Sequence, residues 1–293
     1  MIFTFRNMAA HLIARFKIAL GQPQKIIEKC KNGECLLSIY THHMSRRQLK
    51  QIIHWLLKQE ISFISIDELN AVYKDKNIPK GKAIITMDDG WHENAPVLAL
   101  VEKMKIPICI FLTTGPMKTG DGFWWSYIKK AKALGLRVPN VEELKKLRNI
   151  EREQTINEVK KLIKIRRQAL RTGVVHTYRN SKWVSFGAHT THHPILTTCD
   201  DQTMEKEIKE SQETVSKWIE KPVRYFAYPN GNFGAREIHF LQSINFNLAF
   251  TTIPKTIQTK EMNPFKIPRC EILENVSLAE NICRATGTWI KHR

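Results

Sequence analysis

Short apolar runs alternate along this chain with longer stretches whose apolar residues recur at helical spacing. Leu36 to Tyr40 reads as a strand. Ser45 to Gln59 reads as a helix carrying Leu49, Ile52, Ile53, Leu56 and Leu57. Ser62 to Ser65 is extended and Ile66 to Tyr73 helical. Ala83 to Met87 is a strand, His92 to Met104 a helix and Pro107 to Leu112 a strand. Further on come an extended Lys182 to Phe186 and a strongly patterned helix, Thr203 to Ile219. Val223 to Tyr228 is a strand, Ala235 to Ser243 a helix and Leu248 to Thr252 a strand, and Lys266 to Arg269 closes the series. Strands separated by helices of this length predict parallel βαβ units. About seven or eight repeats suggest a barrel or near-barrel, in which active residues sit at the carboxyl ends of the strands.

One interruption breaks the rhythm, from Gly120 to Tyr178. It opens on Phe123-Trp124-Trp125 and continues, polar and charged, through Glu142 to Arg171 at helical period. That is too long for a connecting loop, so it reads as a helical insertion near the barrel mouth. Trp124 and Trp125 either stack on sugar rings or anchor the insertion to the core. The chain therefore divides into a basic amphipathic segment, 1–34, and a barrel, 35–293, with the insertion at about 120–180.

Two strand ends carry chemistry. Ile84-Ile85-Thr86-Met87 runs into Asp88-Asp89-Gly90, which delivers adjacent carboxylates to the rim of a sheet, where Gly90 permits a tight turn. Adjacent like charges repel unless a cation sits beside them. The second end is His189-Thr190-Thr191-His192-His193-Pro194. One helical turn from His189 to His193 would point both rings the same way and send His192 elsewhere. Two imidazoles and one carboxylate make a metal site with open positions, zinc ahead of cobalt, nickel or manganese. The remaining aspartate is free to act as a base.

These two motifs, with Phe226-Ala227-Tyr228-Pro229-Asn230-Gly231 after a third strand, resemble those of the polysaccharide deacetylase family, the NodB-homology or carbohydrate esterase 4 group. The resemblance runs from about Leu36 to about Arg269. It implies a distorted (β/α)7 barrel. It makes Asp89, His189 and His193 the metal ligands and Asp88 the general base. It gives the N–H of Asn230 the role of stabilising the oxyanion and leaves Tyr228 as a wall of the sugar site or plain core. The family's late Leu-x-His motif, which supplies its acid, has no match in Phe265-Lys266-Ile267-Pro268-Arg269-Cys270. A subgroup resembling the biofilm poly-N-acetylglucosamine deacetylases places that histidine after the first strand. Here Thr41-His42-His43-Met44 stands there, with His42 as the acid and His43 its rival. The arginine that usually orients the base is replaced by Ala227, which leaves Arg224 or, better placed, Arg269.

Composition narrows the partners. The net charge is +18 in 293 residues, which suits an anionic partner. No nucleic-acid module is visible, so no nucleic acid is expected. The six cysteines show no zinc-knuckle or CxxC spacing, a reduced set that predicts a cytoplasmic location. Arg6, His11, Arg15 and Lys17 break any signal-peptide core near the N-terminus, and no run of about 18 apolar residues exists. Instead Ile2, Phe3, Phe5, Met8, Leu12, Ile13, Phe16 and Leu20 interleave with basic residues. That segment either lies on an anionic membrane surface, the inner face for a cytoplasmic protein, or packs on the barrel. The expected activity is a metal-dependent N-deacetylase of an amino-sugar glycan or of a phosphate-linked sugar precursor in cell-surface polysaccharide biosynthesis. An amidohydrolase of a small non-sugar amide and a non-catalytic carbohydrate-binding barrel are the competing readings.

Overall fold

A computed structural model describes residues 5–289, with the side chain of Phe5 excepted; Ile2, Phe3 and that side chain lie outside the described residues. Two helices come first, α1 (Phe5–Ala19) and α2 (Gln22–Lys31), ahead of strand β1 (Cys35–Thr41). Then follow α3 (Arg46–Lys58), β2 (Ser62–Phe63), α4 (Ile66–Asp75), β3 (Lys82–Met87), α5 (Ala95–Met104) and β4 (Ile108–Leu112). Helices α6 (Thr114–Thr119), α7 (Trp124–Ala133), α8 (Val141–Leu144), α9 (Asn149–Leu162) and α10 (Thr172–Tyr178) separate β4 from β5 (Val184–Ala188). The chain ends with α11 (Asp201–Ile219), β6 (Tyr225–Ala227), α12 (Ala235–Ser243), β7 (Leu248–Phe250), β8 (Ile257–Gln258), β9 (Cys270–Glu271) and α13 (Leu278–Ala285).

The strands run in the order β7-β6-β5-β4-β3-β1-β8, with β9 also on β1 and β2 on β3. All pairings are parallel except that of β8. The segment before β9 closes the circle. Ile267 bridges Phe250 of β7, and β9 pairs Cys270 with Ile39 and Glu271 with Tyr40 of β1. The result is a distorted barrel of parallel strands surrounded by helices. Its distortion shows at β3, whose first half pairs β2 while only Thr86 and Met87 reach β4.

Alternation sorts the side chains. Leu37, Ile39, Ala83, Ile85, Ile108 and Ile110 point out against the helices. Leu36, Ile84, Cys109, Phe111, Ala227 and Phe250 point in, above α4, which plugs the barrel floor through Ile66, Leu69 and Val72. Local signals set the helix ends. Ser45 caps α3 by accepting from the Gln48 N–H, and Ser65 with Glu68 forms a capping box on α4. Pro96, in the first turn of α5, starts that helix three residues later than its apolar pattern suggests, after a 3₁₀ turn at His92–Asn94. Strand β5 lies two residues beyond its predicted place, because Gly187 and Ala188 are small. A Cβ on Gly187 would lie 2.5 Å from the Phe111 ring, so the ring fills the barrel only beside a glycine.

The extra helices between β4 and β5 are α7, α8 and α9, which share their own apolar cluster around Trp124, Ile128, Leu144 and Ile156. Helix α10 packs on β5 and α11 in the manner of an ordinary barrel helix. Helix α1 packs on α13 and α2, so the N-terminal segment is joined to the barrel.

Candidate active site

Strand β3 ends at Met87, and its next residue, Asp88, points into the barrel mouth. The Asp88 N–H still donates to the Thr41 carbonyl at 3.0 Å, which holds the strand end in register. The chain then turns through two left-handed residues, Asp89 at φ 69° and Gly90 at φ 74°. Gly90 is required twice over, since a Cβ there would also meet Leu112 Cδ2 at 2.8 Å. This turn sends the adjacent carboxylates to different neighbours.

Asp88 meets Arg269. The guanidinium donates through Nη1 and Nη2 to the two carboxylate oxygens at 2.7 and 2.8 Å. It also donates through Nη1 to Thr86 Oγ1 at 3.0 Å and through Nε to the Thr251 carbonyl at 2.9 Å. Its face lies 4.4 Å from the Tyr40 ring centre. Both partners are buried. Burial alone would push the Asp88 carboxyl up, but the Arg269 charge and hydrogen bonds more than offset it and hold the group below the usual carboxylate range. Arg224 is elsewhere, donating to the Asn245 carbonyl.

Asp89 meets two imidazoles. Its Oδ1 lies 3.5 Å from His189 Nε2 and 3.4 Å from His193 Nε2, and all three residues are buried. Its Oδ2 accepts from Trp91 Nε1 at 2.9 Å, while Oδ1 has no hydrogen-bond partner among the described residues. His189 Nδ1 is 2.7 Å from the Ala227 carbonyl, which fixes that nitrogen as an N–H and turns Nε2 toward Asp89. Burial pushes His193 down to about 3, so this ring is neutral. Burial would push the His189 imidazole down, but the nearby Asp89 and Asp88 charges outweigh it and push the ring up toward its charged form, so this pocket favours a positive charge, proton or metal ion, beside Asp89. A carboxylate and two imidazoles, with their ligand atoms within 4.8 Å of one another, are a fitting donor set for a divalent ion such as zinc.

The rings converge by a route other than the expected helical turn. Thr190 at φ 63° and His193 at φ 58° are both left-handed, so the loop doubles back instead of coiling. Thr190 Oγ1 accepts from the His193 N–H at 3.0 Å and locks the reversal. Glu207 of α11 staples the same loop. Its Oε2 accepts from the Thr191 and His192 N–H groups at 2.9 and 2.8 Å, and its Oε1 lies 2.7 Å from His192 Nδ1. Behind the loop, Trp124 Nε1 donates to the His193 carbonyl at 3.1 Å, and the Trp125 ring meets the His193 ring edge-on at 4.7 Å. Both tryptophans thus brace a proposed ligand from the insertion side. Trp91 and Glu207 are the residues that motif reading passes over. Trp91 directly follows Asp-Asp-Gly, and Glu207 interrupts the buried face made by Met204, Ile208, Ser211 and Val215.

A sequence profile described as polysaccharide deacetylase matches residues 75–249, more than half of the chain. The chain belongs to the polysaccharide deacetylase family. No curated protein sequence matches it. Solved deacetylase structures share the fold. PplD of Streptococcus pyogenes, in complex with acetate, is 18% identical at a TM-score of 0.58, with 86% of this chain and 97% of that one covered. IcaB of Ammonifex degensii is 16% identical at 0.62, with 87% and 98% covered. The BpsB deacetylase domain of Bordetella bronchiseptica is 11% identical at 0.60, with 82% and 97% covered. At these identities the likeness is one of fold.

The other residues singled out on this deacetylase barrel are more spread out. His42 stands half-exposed after β1, with Nδ1 3.6 Å from Glu271 Oε1. It lines a cleft of about 870 Å³ together with Tyr40, Lys145, Asn230 and Trp289. His43 points to Glu274, 2.9 Å away, and its ring meets Trp91. Asn230 occupies the left-handed turn after Pro229 at φ 58°. Tyr228 is fully buried with its hydroxyl donating to the Phe265 carbonyl at 3.1 Å, which places its side chain beneath the loop rather than in the cleft. Among the described residues, no helix is long and apolar enough to cross a membrane.

Proposed function

We propose that this protein is a divalent-cation-dependent N-deacetylase acting, in the cytoplasm, on an amino sugar of a glycan or of a lipid- or nucleotide-linked precursor for cell-surface polysaccharide. One observation carries the reading. The Asp89 Oδ1 lacks a partner and faces two imidazole nitrogens, beside a second carboxylate already clamped by an arginine. Held by Asp89, His189 and His193, a divalent ion supplies Lewis acidity to the acetyl carbonyl and to water.

The remaining work falls to side chains. Asp88 accepts the proton of the attacking water. Arg269 occupies one acceptor site on each Asp88 oxygen, and a carboxylate offers about four, so sites remain for that proton. Arg269 also aims the base and keeps it ionised at neutral pH. The Asn230 N–H steadies the charge that develops on the carbonyl oxygen. His42, at the cleft lip beside Glu271, gives a proton to the departing amine. The cleft accepts the sugar; its charged lining is mixed, with Lys145 paired to Glu142 at 2.9 Å and Glu271 near His42.

The test is acetate release by the zinc-supplemented protein from N-acetylglucosamine oligosaccharides, nucleotide-linked N-acetyl sugars and lipid-linked N-acetyl sugars. Release from at least one class, absent in Asp88→Asn, is the expected result. A protein that binds the ion yet releases acetate from none of them contradicts the reading.

A further inference from the structure

The first helix divides its residues in an unusual way. Ala10 and Ala14 are buried, and the Ala14 carbonyl accepts from Cys283 Sγ of α13 at 3.6 Å. Apart from Ile18, the larger apolar residues of α1, with Leu20 just after it, are on the other side. Leu12 is 65% and Phe16 64% exposed, and Met8, Ile13 and Leu20 are more than half exposed. Among the described residues, no other helix exposes as many large apolar side chains. The usual arrangement is reversed: small residues face the protein and large ones face out.

The pattern of charge says what covers this face. At about 3.6 residues per turn, Met8, Leu12, Phe16, Leu20 and Ile13 fall in one arc. Arg15 borders that arc on one side, and Arg6 and Lys17 border it on the other. No aspartate or glutamate occurs before Glu28. On α13, which packs against α1, Glu280 is buried and paired with Arg284 at 2.7 Å. An apolar stripe edged by cations with long stems fits the boundary between lipid headgroups and acyl chains, where each stem lies along the stripe and each charge meets an anionic headgroup. A protein partner would need carboxylates at both edges of an apolar groove. An anionic bilayer offers that combination everywhere.

We infer that the outer face of α1 docks this protein onto an anionic lipid surface. The docking stands independently of the deacetylase reading. Its consequence for that reading is positional: α13, on which α1 packs, supplies Arg284 to the cleft wall and leads into Gly287 and Trp289, also on that wall. One helix therefore separates the docked face from the cleft, which suits an amino sugar carried on a membrane lipid.

Flotation of the full chain with vesicles tests this. Wild type is expected to float with phosphatidylcholine–phosphatidylglycerol vesicles, to stay behind with pure phosphatidylcholine, and to detach as salt is raised. Leu12→Ser/Phe16→Ser changes only exposed side chains, so its circular dichroism and melting should match wild type while its vesicle affinity falls at least about tenfold. Arg15→Gln/Lys17→Gln should bind the anionic vesicles more weakly than wild type and lose affinity less steeply as salt is raised, and unchanged binding with unchanged salt dependence overturns the inference. Failure of wild type to bind anionic vesicles overturns the inference, as does undiminished binding by the Leu12→Ser/Phe16→Ser protein. A wild-type dimer in sedimentation that this variant converts to monomer also overturns it, because the face is then an interface between copies.

Discussion

The carboxylate of Asp88 has each oxygen on an arginine nitrogen, whereas that of Asp89, one residue on, rests one oxygen on an indole and turns the other to two imidazole nitrogens. Both are buried. Their surroundings differ because the left-handed turn at Asp89 and Gly90 sends one into the barrel and one toward the β5 loop. The contrast separates two uses of a buried charge. A group whose partners are all present is being held in place. A buried carboxylate oxygen left short of a partner between two imidazoles is holding room for something else.

If that distinction is right, altering the two carboxylates must fail in different ways. The largest effect is expected at the base. Asp88→Asn should cut turnover by about 10⁴, the upper range for a general base. It should leave zinc content near wild type, because Asn still accepts from Arg269 and Asp89 is untouched. Metal analysis alongside acetate release checks this, and loss of the ion in Asp88→Asn would merge the two roles.

Stability draws the same line. Arg269→Met leaves Asp88 buried and unpaired, and should destabilise the protein by about 3–5 kcal/mol in denaturant titrations. Asp89→Asn, made in chelator-treated protein, should cost less, since only one of its carboxylate oxygens has a hydrogen bond to lose. Equal losses would show that both carboxylates serve structure.

The proposed acid gives a smaller and selective effect. His42→Ala should slow amide hydrolysis by about 10²–10³ and spare an activated ester, whose leaving group needs no proton. His43→Ala should do little on either, because its ring is turned to Glu274 and Trp91. Amide-selective loss in His43→Ala would move the role by one residue.

The smallest effect follows from linkage. The folded Asp88 carboxyl titrates below its unfolded value of about 3.9. Its share of stability is therefore complete above that pH and is lost as pH falls through the lower folded value. Denaturation midpoints should drop more steeply below pH 4 in wild type than in Asp88→Asn.

How far the sequence carries this account depends on which interactions are local. The strands are legible because Pro107 to Leu112 is apolar throughout and Ala83 to Met87 apolar but for Thr86, as strands buried on two sides must be. Asp88, Asp89, His189 and His193 are conspicuous as polar groups at strand ends. What joins them is not local. Arg269 is legible as a charge at the end of the last extended stretch, but its reach across the barrel to Asp88 comes from a segment that pairs through one bridge and a two-residue strand. The convergence of His189 and His193 depends on Thr190 and His193 adopting left-handed geometry, which threonine and histidine do not advertise. Glu207 shows only as a misplaced charge on an apolar face. The exposure of the large residues of α1 was undetermined for another reason: its pattern is amphipathic whichever face turns outward.

Zinc titration into chelator-treated protein, followed by calorimetry, tests the central claim most directly. Wild type should take up one ion per chain and gain thermal stability as zinc is added, while Asp89→Asn, His189→Ala and His193→Ala each lose that uptake. Wild type that binds no ion, or an Asp89→Asn protein that binds it equally well, would contradict the account.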